Sequence, residues 1–327
     1  MQIVEFNQVG NPVDVLNLKT VDDRAPEAGE VKLKVLASPI HPANLLQIAG
    51  QYAADPVLPA VPGMEGIGEV VEVGPGVSHL KAGQNVLLTG VSGTWRDSIT
   101  ASAATLIPAP PGDVEQLSML AVNPMTAFLL LRNFVDLKEG DWIIQSAANS
   151  AVGEMVVQLA AKRGIKTVNV VRRDSLLQNL KSLGGTVALV DGPDLAERVS
   201  AATGGAQIKL ALDCVAGETF ERLVETLGYG STIVSYGSLT NQSPRLNLRT
   251  MVANNMQAHA FWLQKWYELE SQETKQAAFA ELIPLVASGQ IKTKIDSRYP
   301  LSEIKEAVTR ASEDGRDGKV LLTPIHH

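Results

Sequence analysis

The chain has 327 residues, 45% of them apolar and 19% charged, with a formal net charge of −7. That length admits two domains with separate cores. The acidic balance argues against a nucleic-acid-binding protein, and no apolar run reaches the roughly 18 residues of a membrane span. A single cysteine excludes an internal disulfide and any multi-cysteine structural zinc site.

The N-terminal MQIVEFNQVG alternates as a strand does and shows neither a basic signal-peptide start nor an Arg/Ser-rich transit character, which points to a cytoplasmic protein. Residues 1 to about 120 carry short β-type runs separated by glycine and proline. EVKLKVLASPI, GIGEVVEVGPGV and QNVLLTG predict an antiparallel, barrel-like domain. From about 121 the texture changes. DWIIQSA reads as a buried strand, and SAVGEMVVQLAAKRG as a helix with Val152, Val156 and Leu159 on one face. Strand KTVNVV, helix SLLQNLKSLG, strand VALVD and a helix near Leu195–Ala202 follow. Strand LALDCV, which takes Cys214 into the core, precedes a helix at Glu218–Leu227 and strand STIVSYG; MQAHAFW is a candidate last strand. Strands alternating with helices predict an α/β fold with a parallel, doubly wound (Rossmann) sheet. The run KWYELESQETKQAAFAELIPLVASG is helical in texture, and KVLLTP is a strand expected to rejoin the first domain. The doubly wound unit, 121–264, is thus an insertion in a domain made of 1–120 and 265–327, with a cleft between the two bodies. No function attaches to His326 and His327.

In a doubly wound sheet the ligand lies beyond the carboxyl ends of the strands, where their order reverses. SAANSAVG occupies the first strand-to-helix turn. A helix N-terminus there offers amide donors to a pyrophosphate, and small residues let the ligand approach. Ala147, Ala148, Ser150 and Ala151 meet that demand, and Gly153 allows close helix–strand packing. A purely structural turn would look similar, since the first glycines of G-x-G-x-x-G are missing. The next strand ends in Arg172 and Arg173, followed by Asp174. NAD sites place an acid there, whereas a guanidinium suits a 2′-phosphate. NADPH is the expected cofactor, and a solvated arginine pair is the competing reading.

SPIHPANLLQ and PGMEGIGEVVEVG resemble the medium-chain dehydrogenase/reductase superfamily, whose catalytic domain is GroES-like. Its zinc-dependent members carry a cysteine in the first segment and G-H-E in the second. Here that cysteine is missing and Met64 stands at the histidine's place, so Glu65 alone cannot assemble a catalytic zinc site. His41 reads as a lone packed or exposed imidazole. Without a metal to polarise a carbonyl, a conjugated C=C–C=O substrate suits hydride delivery, because charge gathers on an oxygen that hydrogen-bond donors can stabilise.

IAGQYAADPVLPAVPGMEG, GTWRDS, VNPMTAFLLL, AANSAVG with VNVVRR, SYGSL and AFWLQKW are similar to the zinc-independent, mitochondrial-type 2-enoyl thioester reductases, over nearly the whole chain. The resemblance implies NADPH-dependent reduction of a trans-2-enoyl-CoA or enoyl-carrier-protein thioester. Tyr52, in AGQY, matches the family's tyrosine acid or hydrogen-bond donor; its phenol is protonated at neutral pH, and packing would otherwise explain it. The family match further implies cofactor contacts at Asn123 and Thr126 of VNPMTA, and at Asn149, Ser150, Ala151, Val152 and Gly153 around the diphosphate. It assigns Arg172, Arg173 and Asp174 to the 2′-phosphate, and Tyr236, Gly237, Ser238 and Leu239 to the nicotinamide. Phe261, Trp262 and Leu263 match its FWL segment, and Lys319 a lysine near the cofactor. A helix cap at Asn123 and a core stripe at Phe261 and Trp262 are the competing readings. Trp95 and Phe128 are candidate acyl-pocket walls.

Two departures stand out: Ala151 replaces a frequent glycine, and Asn44 a frequent aspartate in the substrate region. The chain is shorter than mitochondrial members and lacks their leader, as a bacterial relative would. Arg245 and Arg249 could meet an acidic carrier protein or be ordinary surface charges. A homodimer is expected, with MQAHAFW as its candidate edge. The alternatives are a zinc-independent quinone or enone oxidoreductase and an NADPH-binding protein without turnover.

Overall fold

The computed structural model describes residues 1–324; His326 and His327 lie outside the described residues. In chain order the strands are β1 (Gln2–Glu5), β2 (Asn17–Thr20), β3 (Glu30–Pro39), β4 (Ile67–Val73), β5 (Asn85–Leu87), β6 (Ser98–Ser102) and β7 (Ile107–Pro108). They continue with β8 (Trp142–Gln145), β9 (Lys166–Val171), β10 (Val187–Val190), β11 (Ile208–Asp213), β12 (Leu227–Ser235) and β13 (Gln257–Ala260), and end with β14 (Ile295–Tyr299) and β15 (Lys319–Leu322). Two compact units result: Met1–Val122 with the chain from Gln276 onward, and Asn123–Lys275. The return therefore falls after Lys275 rather than near 264. The helix Leu263–Leu269 still belongs to the inserted unit, and the expected single helical run breaks at Glu270, whose backbone is extended.

The first unit holds a seven-stranded sheet in the order β14-β15-β3-β4-β5-β7, with β6 also paired to β3. All its pairings are antiparallel except β14 with β15. Strand β3 shows why. Val31, Leu33 and Val35 alternate with Lys32 and Lys34 and are fully buried, as a one-sided sheet requires. Strand β15 rejoins this sheet through Leu321 opposite Pro39, and Ile40 continues the contact through its amide on the Val320 carbonyl, 3.0 Å away. A core of Val4, Phe6, Ile40, Ile48, Trp95 and Leu322 lies alongside.

The second unit is a six-stranded parallel sheet, β10-β9-β8-β11-β12-β13. Its central strands are buried on both faces, since helices cover both sides; Thr167 to Val171 are all buried. The chain runs outward from β8 through β9 to β10, then returns to β11 on the other side of β8. The order reverses there, so the carboxyl ends of β8 and β11 mark the ligand position.

Candidate active site

At that reversal the sheet carries a buried polar pair. Ser146, just past β8, donates its hydroxyl to Asp213 Oδ1 at 2.6 Å, and Asp213 also accepts the amides of Val215 and Ala216. Burial pushes the Asp213 carboxyl above its usual range. The preceding residue, Gln145, donates to the Gly153 carbonyl at 3.0 Å and to Asn169 at 2.8 Å, tying the sheet to the first helix. The sequence reading found none of these three. Polar residues at strand ends look like ordinary strand termini until the sheet order is known.

The turn after β8 has the shape a phosphate needs. Ala147 adopts a left-handed φ of 44°, a conformation ordinarily left to glycine. Ser150 caps the helix Ala151–Lys162, its hydroxyl accepting the Gly153 amide at 3.1 Å. The Ala151 and Val152 amides precede any helical acceptor and face outward from the first turn. Gly153 cannot carry a side chain, because a Cβ would stand 2.6 Å from the Ala148 carbonyl oxygen. From the same first turn Glu154 accepts a hydrogen bond from Asn179 at 2.8 Å. Asn179 belongs to the helix Leu177–Ser182, which follows the exposed Arg172, Arg173 and Asp174 at the end of β9. Turn and arginine loop are thereby joined.

Other expected cofactor residues gather in this unit. Tyr236 follows β12, and its amide donates to the Asp213 carbonyl at 2.8 Å. Its ring is partly exposed, but its hydroxyl is buried close to the Cys214 thiol and the Ser150 hydroxyl without a hydrogen bond of good geometry. Burial raises that phenol well above its usual range, and likewise pushes the Cys214 thiol up to about 12, an inert core thiol. Gly237, Ser238 and Leu239 are exposed, with the Leu239 amide on the Cys214 carbonyl. Asn123 opens the helix Asn123–Leu130 and is buried, its side-chain amide nitrogen lacking a partner. Thr126 is buried on that helix, and Phe128 is half-buried beneath the Arg132 guanidinium, 5.3 Å from its ring centre. Phe261, Trp262 and Leu263 are all half-buried; Phe261 meets Phe134 edge-on at 5.9 Å. Two orphaned polar groups, Asn123 Nδ2 and the Tyr236 hydroxyl, together with a cradle that a Cβ would fill, fit a dinucleotide.

The first unit holds Tyr52 and a group the sequence reading had scattered. Tyr52 is half-buried in the loop after the helix Pro42–Ile48. Asn44 and Trp95 prove to be core residues, not pocket walls. Both are 0% exposed, Asn44 accepting the His41 amide at 2.9 Å and Trp95 lying within the apolar core. Lys319, expected beside the cofactor, is buried, and its ammonium lies 2.9 Å from His41 Nδ1 and 3.2 Å from the Ile40 carbonyl. His41 is therefore no lone imidazole. Its Nε2 lies 2.7 Å from Glu65 Oε1, and Glu65 Oε2 accepts the Val122 amide at 2.8 Å. Burial pulls Lys319 and His41 down and pushes Glu65 up, each toward its neutral form.

These donors do not fit a metal ion: the Lys319 ammonium occupies the direction of His41 Nδ1, and both Glu65 oxygens are already engaged. Among the described residues no group of three or more His, Cys, Asp or Glu could hold one, and no helix is long and apolar enough to cross a membrane.

Comparison with known proteins agrees with this architecture. Residues 27–111 match the alcohol dehydrogenase GroES-like domain, and residues 183–322 a family described as zinc-binding dehydrogenase. The zinc in that description does not suit the donor set just given. The chain is 33% identical over 328 residues to the mitochondrial enoyl-[acyl-carrier-protein] reductase of Homo sapiens, covering 97% of this chain and 87% of the relative. The Caenorhabditis elegans counterpart is 38% identical over 311 residues, covering 92% and 89%. Among solved structures, the mitochondrial 2-enoyl thioester reductase Etr1p/Etr2p heterodimer from Candida tropicalis superposes with a TM-score of 0.88 at 29% identity, over 98% of this chain and 99% of that one. The Etr1p/NADP/crotonyl-CoA complex gives 0.87 at 28%, with the same coverage. Escherichia coli quinone oxidoreductase complexed with NADPH gives 0.88 at 26%, over 99% and 100%.

Proposed function

Because the chain belongs to the enoyl-[acyl-carrier-protein] reductase family of the medium-chain dehydrogenase/reductase superfamily, we propose that it is an NADPH-dependent oxidoreductase that reduces the C=C bond of trans-2-enoyl thioesters. The observation that carries this reading is the Ala147–Gly153 turn with Arg172 and Arg173 at the end of the next strand. It supplies amides for a diphosphate and cations for a 2′-phosphate, in a chain alike over nearly its full length to enoyl reductases.

Held at these residues, NADPH would supply the hydride that reduces the substrate's β-carbon. The protein's own work is positioning and charge stabilisation. The Ala151 and Val152 amides and the helix dipole hold the diphosphate, and the arginines the extra phosphate. Asn123 Nδ2 and the Tyr236 hydroxyl are orphaned donors for the nicotinamide side. The Tyr52 phenol donates to the thioester oxygen as enolate charge develops, and the α-carbon then takes its proton either from that phenol or from water. No step calls on a metal. Arg245 and Arg249, both exposed, are candidate contacts for an acidic carrier protein. A homodimer paired through β13 accords with that strand's position at the sheet edge.

The likeness to quinone oxidoreductase supports a second reading, quinone reduction with the same cofactor half. Steady-state assays separate the two. Crotonyl-CoA is expected to be turned over with NADPH far faster than a benzoquinone, and Tyr52→Phe to lower kcat on the thioester by about 100-fold or more with the fold intact. Faster quinone turnover, or an unchanged Tyr52→Phe rate, would reverse the assignment.

A further inference from the structure

Glu65, His41 and Lys319 lie far apart in sequence, yet they form one hydrogen-bonded line buried in the first unit. All three are at most 4% exposed. Lys319 Nζ meets His41 Nδ1 and Glu65 Oε1 meets His41 Nε2, so both ring nitrogens are engaged and the imidazole is held at both ends. Such a group is a poor stabiliser: buried ions give up their hydration, and apolar side chains of similar volume often serve stability as well or better.

Its connections indicate another use. His41 caps the helix Pro42–Ile48, and the Ile40 carbonyl accepts from Lys319. The chain after that helix stays hydrogen-bonded up to the residue before Tyr52: Ala49 donates to Leu45 at 2.9 Å, Gly50 to Gln47 at 3.1 Å and Gln51 to Leu46 at 2.8 Å. At the other end Glu65 holds the Val122 amide, one residue ahead of Asn123. The Glu65 carbonyl is itself fixed by the Ser38 and Thr94 hydroxyls, at 2.8 and 2.9 Å.

We infer that Glu65, His41 and Lys319 are positioning residues for the proposed reduction: a buried relay that fixes the helix leading to Tyr52 and the chain at Val122. The inference rests on the thioester-reductase reading but makes a separate claim. Small displacements of a reacting group cost large factors in rate, so the relay acts on kcat through Tyr52 and leaves the NADPH cradle alone.

The test uses the paired variant Glu65→Gln/Lys319→Met, which removes both ionisable ends of the line together, where either single change would leave the other end without its counterpart. In full-length protein with wild-type circular dichroism, kcat on crotonyl-CoA is expected to fall about 100-fold with KM for NADPH unchanged. An unchanged kcat in the folded variant would overturn the inference while leaving the thioester reading intact; a wild-type protein inactive on thioesters would instead sink that reading. A second readout needs no turnover. With fluorotyrosine incorporated, the Tyr52 resonance, identified by its loss in Tyr52→Phe, should shift or broaden in the paired variant. A Tyr52 signal identical to that of wild type would refute the positioning role. Should the paired variant not fold, nitrogen NMR of the wild-type protein decides: His41, held between Glu65 and Lys319, must stay neutral below the ordinary histidine range, and an ordinary titration would dismiss the relay.

Discussion

Arg172 and Arg173 are the residues proposed to separate the phosphorylated dinucleotide from its plain form. A guanidinium at a 2′-phosphate forms charge-assisted hydrogen bonds, each contributing about 1.5–3 kcal/mol. Replacing both with alanine is expected to raise KM for NADPH by about tenfold to a hundredfold, leaving KM for NADH nearly unmoved. Equal losses for both dinucleotides would place the arginines elsewhere. The position of this pair was legible, since KTVNVV reads as a strand and both arginines do stand at its end. Lys319 was not legible in the same way. Its partner His41 lies 278 residues away, and spacing alone cannot show that a lysine near one end meets an imidazole near the other. Trp95 and Asn44 misled for a related reason, since a motif names residue types and does not report which are buried.

The helix Ala151–Lys162 and the turn before it are where local sequence and chemistry coincide. Ser150 caps the helix, Val156 and Leu159 are buried, and Gly164 closes it in a left-handed conformation, with φ of 66°. The three-to-four spacing of apolar residues had predicted it, because a helix buried on one face must show that period. Gly153 is its most constrained position. In Gly153→Ala the new methyl would press on the Ala148 carbonyl, and crowding of this kind costs about 1–3 kcal/mol. A lower melting temperature and weaker NADPH binding by fluorescence titration are expected together. A variant with unchanged NADPH affinity would show that the turn does not hold the phosphates. Elements without a strong period escaped the reading. The helices Pro42–Ile48 and Leu248–Ala253 are short, and the break at Glu270 between two helices carries neither glycine nor proline to announce it.

At the scale of the molecule, the change from alternating strands to strand–helix repeats revealed an inserted parallel sheet, and the apolar run KVLLTP revealed the return of the chain. The sheet order was not written in the sequence, so the Ser146–Asp213 pair at the reversal became visible only with the fold. The same sheet leaves β13 at its edge with all four residues exposed, and an unpaired edge invites another strand. Light scattering is expected to give twice the chain mass across a dilution series, whereas a monomer at every concentration would remove β13 as a dimer edge. The central claim, transfer of hydride from NADPH to the β-carbon of an enoyl thioester without a metal, is tested most directly with NADPH deuterated at its transferring position. Reacted with crotonyl-CoA in the presence of a chelator, the protein should form butyryl-CoA carrying deuterium at the β-carbon, at an undiminished rate. A product without deuterium there, or activity lost to the chelator and restored by zinc, would contradict the account.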